Sequence, residues 1–303
     1  MRDVPRVALL AAVALLGTAC AQSQDDSQDD ISFFVLVKSS NYAQNASGDL
    51  TFLNYHFFSE IFVNEGVELL GASLTTPNRP DAPRPYEDRG TNYYMEGGHF
   101  DSVEELDAAY PNGTFVFDIQ APSVSFSNET MELAGPGGET AIPAPITISL
   151  AQAGADVSPL AIDPNEELVI RWSEYSGGSA DPRGIVDDMI FVVVADCHGE
   201  RLVHTGLPFQ GEHLTFRAKE LSVAAGTLGP GLAYSMFVEF PSVVDSRIIQ
   251  GVPAFTSYAT ATYLDLRTTG VTKDTSCPDV APPMDTGQTD RMDLIQPDTT
   301  SGR

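Results

Sequence analysis

Between residues 31 and 273 apolar side chains alternate in twos and seldom recur at helical spacing, which commits the chain to β-sheet. Phe33–Val37, Leu50–Phe58, Ile61–Val63 and Val67–Leu70 are short β-branched and aromatic runs, punctuated by turn residues such as Asn64-Glu65-Gly66. Thr114–Ile119 sets Phe115, Phe117 and Ile119 on one face. The same pattern predicts strands at 124–133, 146–150, 168–173, 189–195, 201–204, 213–217, 233–240 and 256–266. One helix is expected. Ser102-Val103-Glu104-Glu105 is a capping box that opens a turn or two, stacks Leu106 on Tyr110 and ends at Pro111. The class is therefore all-β: two antiparallel β-sandwich domains with one short helix. Gly135–Pro145 is rich in Gly and Pro without any period, and divides domain 1 (31–140) from domain 2 (143–273).

The first twenty residues address the chain. Arg2 and Arg6 precede the apolar run Val7–Leu16 and the small residues Gly17-Thr18-Ala19, the order of a signal peptide over 1–20. The run is too short to span a bilayer. Leu16-Gly17-Thr18-Ala19-Cys20 reads as a bacterial lipobox with a lipidated Cys20, although Gly17 stands where leucine is usual. The alternative is cleavage after Ala21 at Ala19-Cys20-Ala21, and it stays open. Residues 21–30 read as an acidic tether, and 279–303 as a disordered tail rich in Pro, Thr and Asp. Against 42 Asp and Glu the chain has 16 Lys and Arg, a formal net charge of -26. That balance opposes binding to nucleic acid through phosphates and repels anionic headgroups, so contact with a membrane is expected only through the N-terminal lipid.

Residues for chemistry are sparse. None of the five histidines has zinc-site spacing, and His56, inside an aromatic strand, reads as a packed histidine. Gly177-Gly178-Ser179-Ala180-Asp181 lacks the second glycine and the strand-to-helix context of a nucleophile elbow. The chain is read as a non-enzyme, the rival being a hydrolase whose active site goes unrecognised. No cofactor is implied, except that Asp181, Asp187 and Asp188, in the loop before the strand at 189–194, suit calcium; a solvated or self-capped loop is the plainer reading. Tyr93 and Tyr94, beside Gly97-Gly98, are expected as exposed rings for a sugar or a protein partner, or else as plugs for the end of a sandwich. Cys197 and Cys277 are expected to form a disulfide. In an oxidising compartment they are the pair left once Cys20 carries lipid, and the bridge would close a loop of about 80 residues.

Two segments carry a resemblance. Ser102–Phe117, a short helix, an aromatic-Pro-x-Gly turn and an aromatic strand, resembles a segment of uncharacterised exported bacterial β-sandwich proteins. Leu168-Val-Ile-Arg-Trp172 and Leu228-Gly-Pro-Gly-Leu-Ala-Tyr234 make domain 2 similar to a fibronectin type III module of the immunoglobulin-like sandwiches. The resemblance implies a buried Trp172 and a tyrosine corner at Tyr234, whose hydroxyl bonds back to the corner backbone. It assigns no activity. The resulting expectation is an exported binding or structural module at the bacterial envelope, facing an envelope protein or a glycan.

Overall fold

The computed structural model describes residues 30–272 apart from 91, 210 and 212. The signal segment with Cys20, most of the tether, Cys277 and the tail from 279 lie outside the described residues. Among the described residues no helix is long and apolar enough to cross a membrane.

The fold is all-β, built as three sheets. In chain order the strands are β1 (Ile31–Gln44), β2 (Leu50–Val63), β3 (Gly71–Thr76), β4 (Arg79–Pro85), β5 (Glu87–Asp88) and β6 (Asn92–Phe100). After helix α1 (Val103–Ala109) come β7 (Gly113–Gln120), β8 (Ser125–Leu133), β9 (Ile148–Gln152), β10 (Ala155–Asp156) and β11 (Leu168–Trp172). Then follow β12 (Met189–Ala195), β13 (Arg201–His204), β14 (Leu214–Thr215), β15 (Glu220–Val223), β16 (Ala233–Ile249) and β17 (Val252–Arg267). The central sheet runs β13-β12-β16-β17-β1-β2-β6-β5, with β14 also on β12; β4-β3-β7-β8 and β10-β9-β11-β15 form the two smaller sheets.

Each small sheet covers one half of the central sheet and closes a core. The first core joins Phe34, Leu36, Phe57 and Ile61 of the central sheet to Leu74, Phe115, Phe117, Phe126 and Met131. The second joins Ile148, Leu150, Ile170 and Trp172 to Val192, Tyr234, Met236 and Val238. β17 enters both, giving Val252, Ala254 and Tyr258 to the first and Leu264 and Leu266 to the second. The Gly135–Pro145 stretch thus separates the two small sheets, but the central sheet crosses the expected boundary unbroken. Burial of this many alternating apolar side chains, each worth roughly 1.5–3 kcal/mol, holds the layers together.

Several elements differ from the sequence expectation. β2 runs unbroken through Ser59 and Glu60, which are buried: the Ser59 hydroxyl donates to Val35 O (2.6 Å) and Glu60 Oε1 accepts from Asn92 Nδ2 (2.8 Å). Val67–Leu70 is not a strand; β3 begins at Gly71. β16 continues past Pro241 to Ile249, with a register slip between Val243 and Asp245. It turns into β17 at Gln250-Gly251, both at positive φ (47° and 89°). The sheet is also not purely antiparallel, because β1 and β17 pair in parallel from Phe34↔Ala254 to Gln44↔Leu264. Parallel partners need a long connection, and these are the first and last described strands.

Helix α1 forms where the capping box stands. Ser102 Oγ accepts from the Glu105 N–H (3.2 Å), Glu105 Oε2 accepts from the Asp101 N–H (3.2 Å), and Leu106 and Tyr110 are buried. Under the helix, fully buried Lys38 places Nζ 2.6 Å from both Asp107 Oδ1 and Asn112 Oδ1.

Candidate functional site

β2 and β6 are antiparallel and pair His56 with His99 and Phe58 with Glu96. Strict alternation puts residues three apart on opposite faces, so Glu96 and His99 should diverge. They do not, because Gly97 is an extra residue: the register slips between Phe57 and Phe58, and this β-bulge returns Glu96 and His99 to the face of His56. The position demands glycine, since a Cβ there would run into the ring and carbonyl of Phe57.

The result is a compact group of three side chains. The rings of His56 and His99 stack with centroids 4.3 Å apart and planes 17° from parallel. His56 Nε2 lies 3.0 Å from Glu96 Oε1, which also accepts from the Gly98 N–H (2.6 Å). Asn54 Oδ1 accepts from Asn41 Nδ2 (2.8 Å) and lies 3.2 Å from His99 Nδ1. Since that oxygen is an acceptor, His99 carries its proton on Nδ1 and leaves Nε2 bare. His56 is fully buried, whereas Glu96 and His99 are partly exposed. Burial pushes the Glu96 carboxyl up, but the hydrogen bond and charge of His56, the Gly98 amide and His99 outweigh it and bring the carboxyl to about 2. Burial, helped by the neighbouring charge of His56, lowers His99. Two imidazoles and a carboxylate can exchange a proton or share a metal ion.

The same face continues past Phe58 into an apolar cavity of about 40 Å³, lined by Phe33, Val35, Phe58, Phe191 and Phe255. Two acids, Glu60 and Glu239, also border it. Burial pushes the Glu239 carboxyl up to about 7.

Most residues singled out from sequence are used by the fold. Tyr93 and Tyr94 are not exposed: they lie on β6, at 9% and 6% exposure, Tyr93 in the first core and Tyr94 in a separate apolar cluster with Phe33, Phe58, Phe62 and Phe255. The Tyr93 hydroxyl accepts from the Leu69 N–H (2.9 Å), and the Tyr94 hydroxyl lies 3.5 Å from His56 Nε2. Neither offers a ring to a sugar, which corrects the reading of both as ligand-binding residues.

Asp181, Asp187 and Asp188 form a self-capped loop, the plainer of the two readings of this segment, because all six carboxylate oxygens face donors. Asp181 accepts from the backbone of Arg183, Ile185 and Val186 and from the Ser246 hydroxyl (2.7 Å). Asp187 accepts from the Asp181 N–H (3.0 Å) and Arg217 (2.9 Å). Asp188 accepts from Val243 N–H (2.7 Å) and from Ser179. The bonds to Val243 and Ser246 pin the 179–188 loop to β16.

Trp172 is buried in the second core and donates Nε1–H to Ala218 O (3.1 Å). The Tyr234 hydroxyl accepts from the Gly229 N–H at 2.7 Å. Cys197 occupies the turn at 196–199 between β12 and β13; its expected partner lies outside the described residues. The sequence reading passed over His56, Glu96 and His99 as a group. The available signal was Glu96-Gly97-Gly98-His99, since paired glycines inside an alternating strand mark a bulge.

No protein-family model matches the chain, and no curated protein matches it. Among solved structures it is similar to the BSP domain of a biofilm associated protein, with 10% identity and a TM-score of 0.20 over 77% of this chain and 30% of that one. It is also similar to the FN1–FN3 domains of chicken CNTN1, with 11% identity and a TM-score of 0.20 over 72% of this chain and 66% of that one. The chain spans less than two thirds of the length of each.

Proposed function

We propose that this protein is an exported, non-catalytic binding or structural module of the bacterial envelope, held to a membrane by lipid on Cys20 and stabilised by a Cys197–Cys277 bridge. The observation that carries this reading is the central sheet. β16 and β17 pass through both cores, so the two halves share strands. Ligand clefts that close around substrates tend to form where domains move on one another, and a shared sheet instead makes a stiff platform. The side chains first suspected of binding or chemistry support the same reading, being consumed by internal hydrogen bonds. A partner is then an envelope protein or glycan meeting the outer surface, not a nucleic acid.

Fractionation of native cells tests the anchor. Cys20→Ala should move the protein from the membrane to the soluble fraction, and a variant that stays membrane-bound overturns the lipid anchor. Crosslinking in those cells followed by mass spectrometry should return a reproducible envelope partner; recovery of cytoplasmic proteins alone overturns the location.

A further inference from the structure

Among the described residues, three ligand-type atoms on the β2–β6 ribbon have no hydrogen-bond partner: His56 Nδ1, His99 Nε2 and Glu96 Oε2, all buried. Buried polar atoms are paired as a rule, so several such atoms in one group point to something that the described residues do not supply. One ligand atom from each of the three residues lies within 4.8 Å of the other two. We propose that His56, Glu96 and His99 form a binding site for a borderline transition-metal dication, Zn²⁺ foremost.

The donor set selects the class of ion. Two imidazole nitrogens and one carboxylate suit Zn²⁺, Ni²⁺ or Cu²⁺, whereas Ca²⁺ and Mg²⁺ need shells of oxygen. The surroundings prepare the ligands. Asn54 Oδ1, oriented by Asn41, takes the Nδ1–H of His99 and so leaves Nε2 with a free lone pair, the outer-shell arrangement typical of metal-bound histidine. The Gly98 amide on Glu96 Oε1 fixes the carboxylate.

Metal–ligand bonds of about 2.0–2.2 Å require the three side chains to bring one ligand atom each closer together than 4.8 Å. Two nearly parallel rings also aim their lone pairs side by side rather than at one point. The torsion that turns an imidazole about its Cβ–Cγ bond is soft. His99 is the partly exposed ring and His56 the fully buried one, so a tilt of His99 that keeps its Nδ1–H on Asn54 Oδ1 is the movement that closes the site. Three protein ligands leave a fourth position for water or for a group from a bound partner. This site does not depend on where the chain is anchored.

The test is Zn²⁺ titration of the purified mature protein against a chromogenic chelator, with excess Ca²⁺ present to occupy the acidic surface that a net charge of -26 implies. One Zn²⁺ per chain should bind. His99→Ala and Glu96→Gln should each weaken it at least about tenfold, and Asn54→Ala, acting through His99, by about tenfold. Melting with and without Zn²⁺ shows whether each variant is folded, and the zinc-dependent rise in Tm should vanish in His99→Ala. Co²⁺ in place of Zn²⁺ should give a visible spectrum without a thiolate band, which separates this site from the cysteines. The proposal fails if there is no saturable one-to-one binding, if both variants bind as the wild type does, or if Ca²⁺ displaces the bound ion.

Discussion

Gly97 packs its Cα directly against the ring and carbonyl of Phe57, leaving no room for a β-carbon. Phe57 is fully buried and stacks on Tyr110 at a centroid distance of 3.8 Å, so neither ring can retreat. Gly97→Ala should therefore cost at least about 2 kcal/mol, in the range of overpacked core substitutions. A chemical denaturation midpoint equal to that of the wild type would contradict this account of the bulge.

What was legible in the sequence was what is local. The helix at 103–109 depends on Ser102, Glu105, Leu106 and Tyr110, all within nine residues, and the Tyr234 corner joins two residues five apart. Alternation also marks which side chains face inward. It is silent on which strand lies alongside, and the parallel pairing of β1 with β17 joins residues more than 200 positions apart. Tyr93 and Tyr94 read as exposed because Pro and Arg precede them, although alternation buries one ring on each face of the sheet once they lie in a strand. The candidate site was hidden for a related reason. His56 and Glu96 are 40 residues apart, and their meeting depends on a register set by one bulge. The acidic loop was visible as acidic, but besides its own backbone the donors that occupy it come from Arg217, Val243 and Ser246, 30 to 65 residues away.

Lys38 offers a test of the packing under α1. Burial lowers its pKa, and the hydrogen bond and charge of Asp107 oppose that shift. Asp107 is 36% exposed, so only one end of the pair has left water. Lys38→Ala removes the ammonium and the packed stem, and should cost about 3 kcal/mol. Lys38→Met keeps the stem and should cost about 1–2 kcal/mol. Equal losses in urea denaturation would mean that the stem contributes nothing.

Tyr234 is 1% exposed, and its hydroxyl takes the Gly229 N–H at 2.7 Å. Tyr234→Phe keeps the ring in the second core and removes that acceptor. The loss should be about 1 kcal/mol, the usual net worth of one hydrogen bond. Thermal and urea midpoints unchanged from the wild type would show that the corner is held by packing alone.

Glu239 sets a dependence on pH. It is 6% exposed beside the apolar cavity, and burial raises its carboxyl from 4.5 to about 7. Below 4.5 both folded and unfolded chains hold the proton. Between 4.5 and about 7 the folded chain keeps the proton that the unfolded chain has released, so this group's contribution to stability falls as pH rises and is lost above about 7. His204 works in the other direction: burial and Arg201 lower it to about 4, so below 6.5 the unfolded chain takes the proton first and stability falls as pH falls. Glu239→Gln removes the first effect and leaves the second. The variant should exceed the wild type by on the order of 3 kcal/mol at pH 8 and show no advantage at pH 4. Urea denaturation of both proteins at the two pH values reads the difference directly. An advantage of the same size at both values would mean that the gain comes from packing, not from a buried charge.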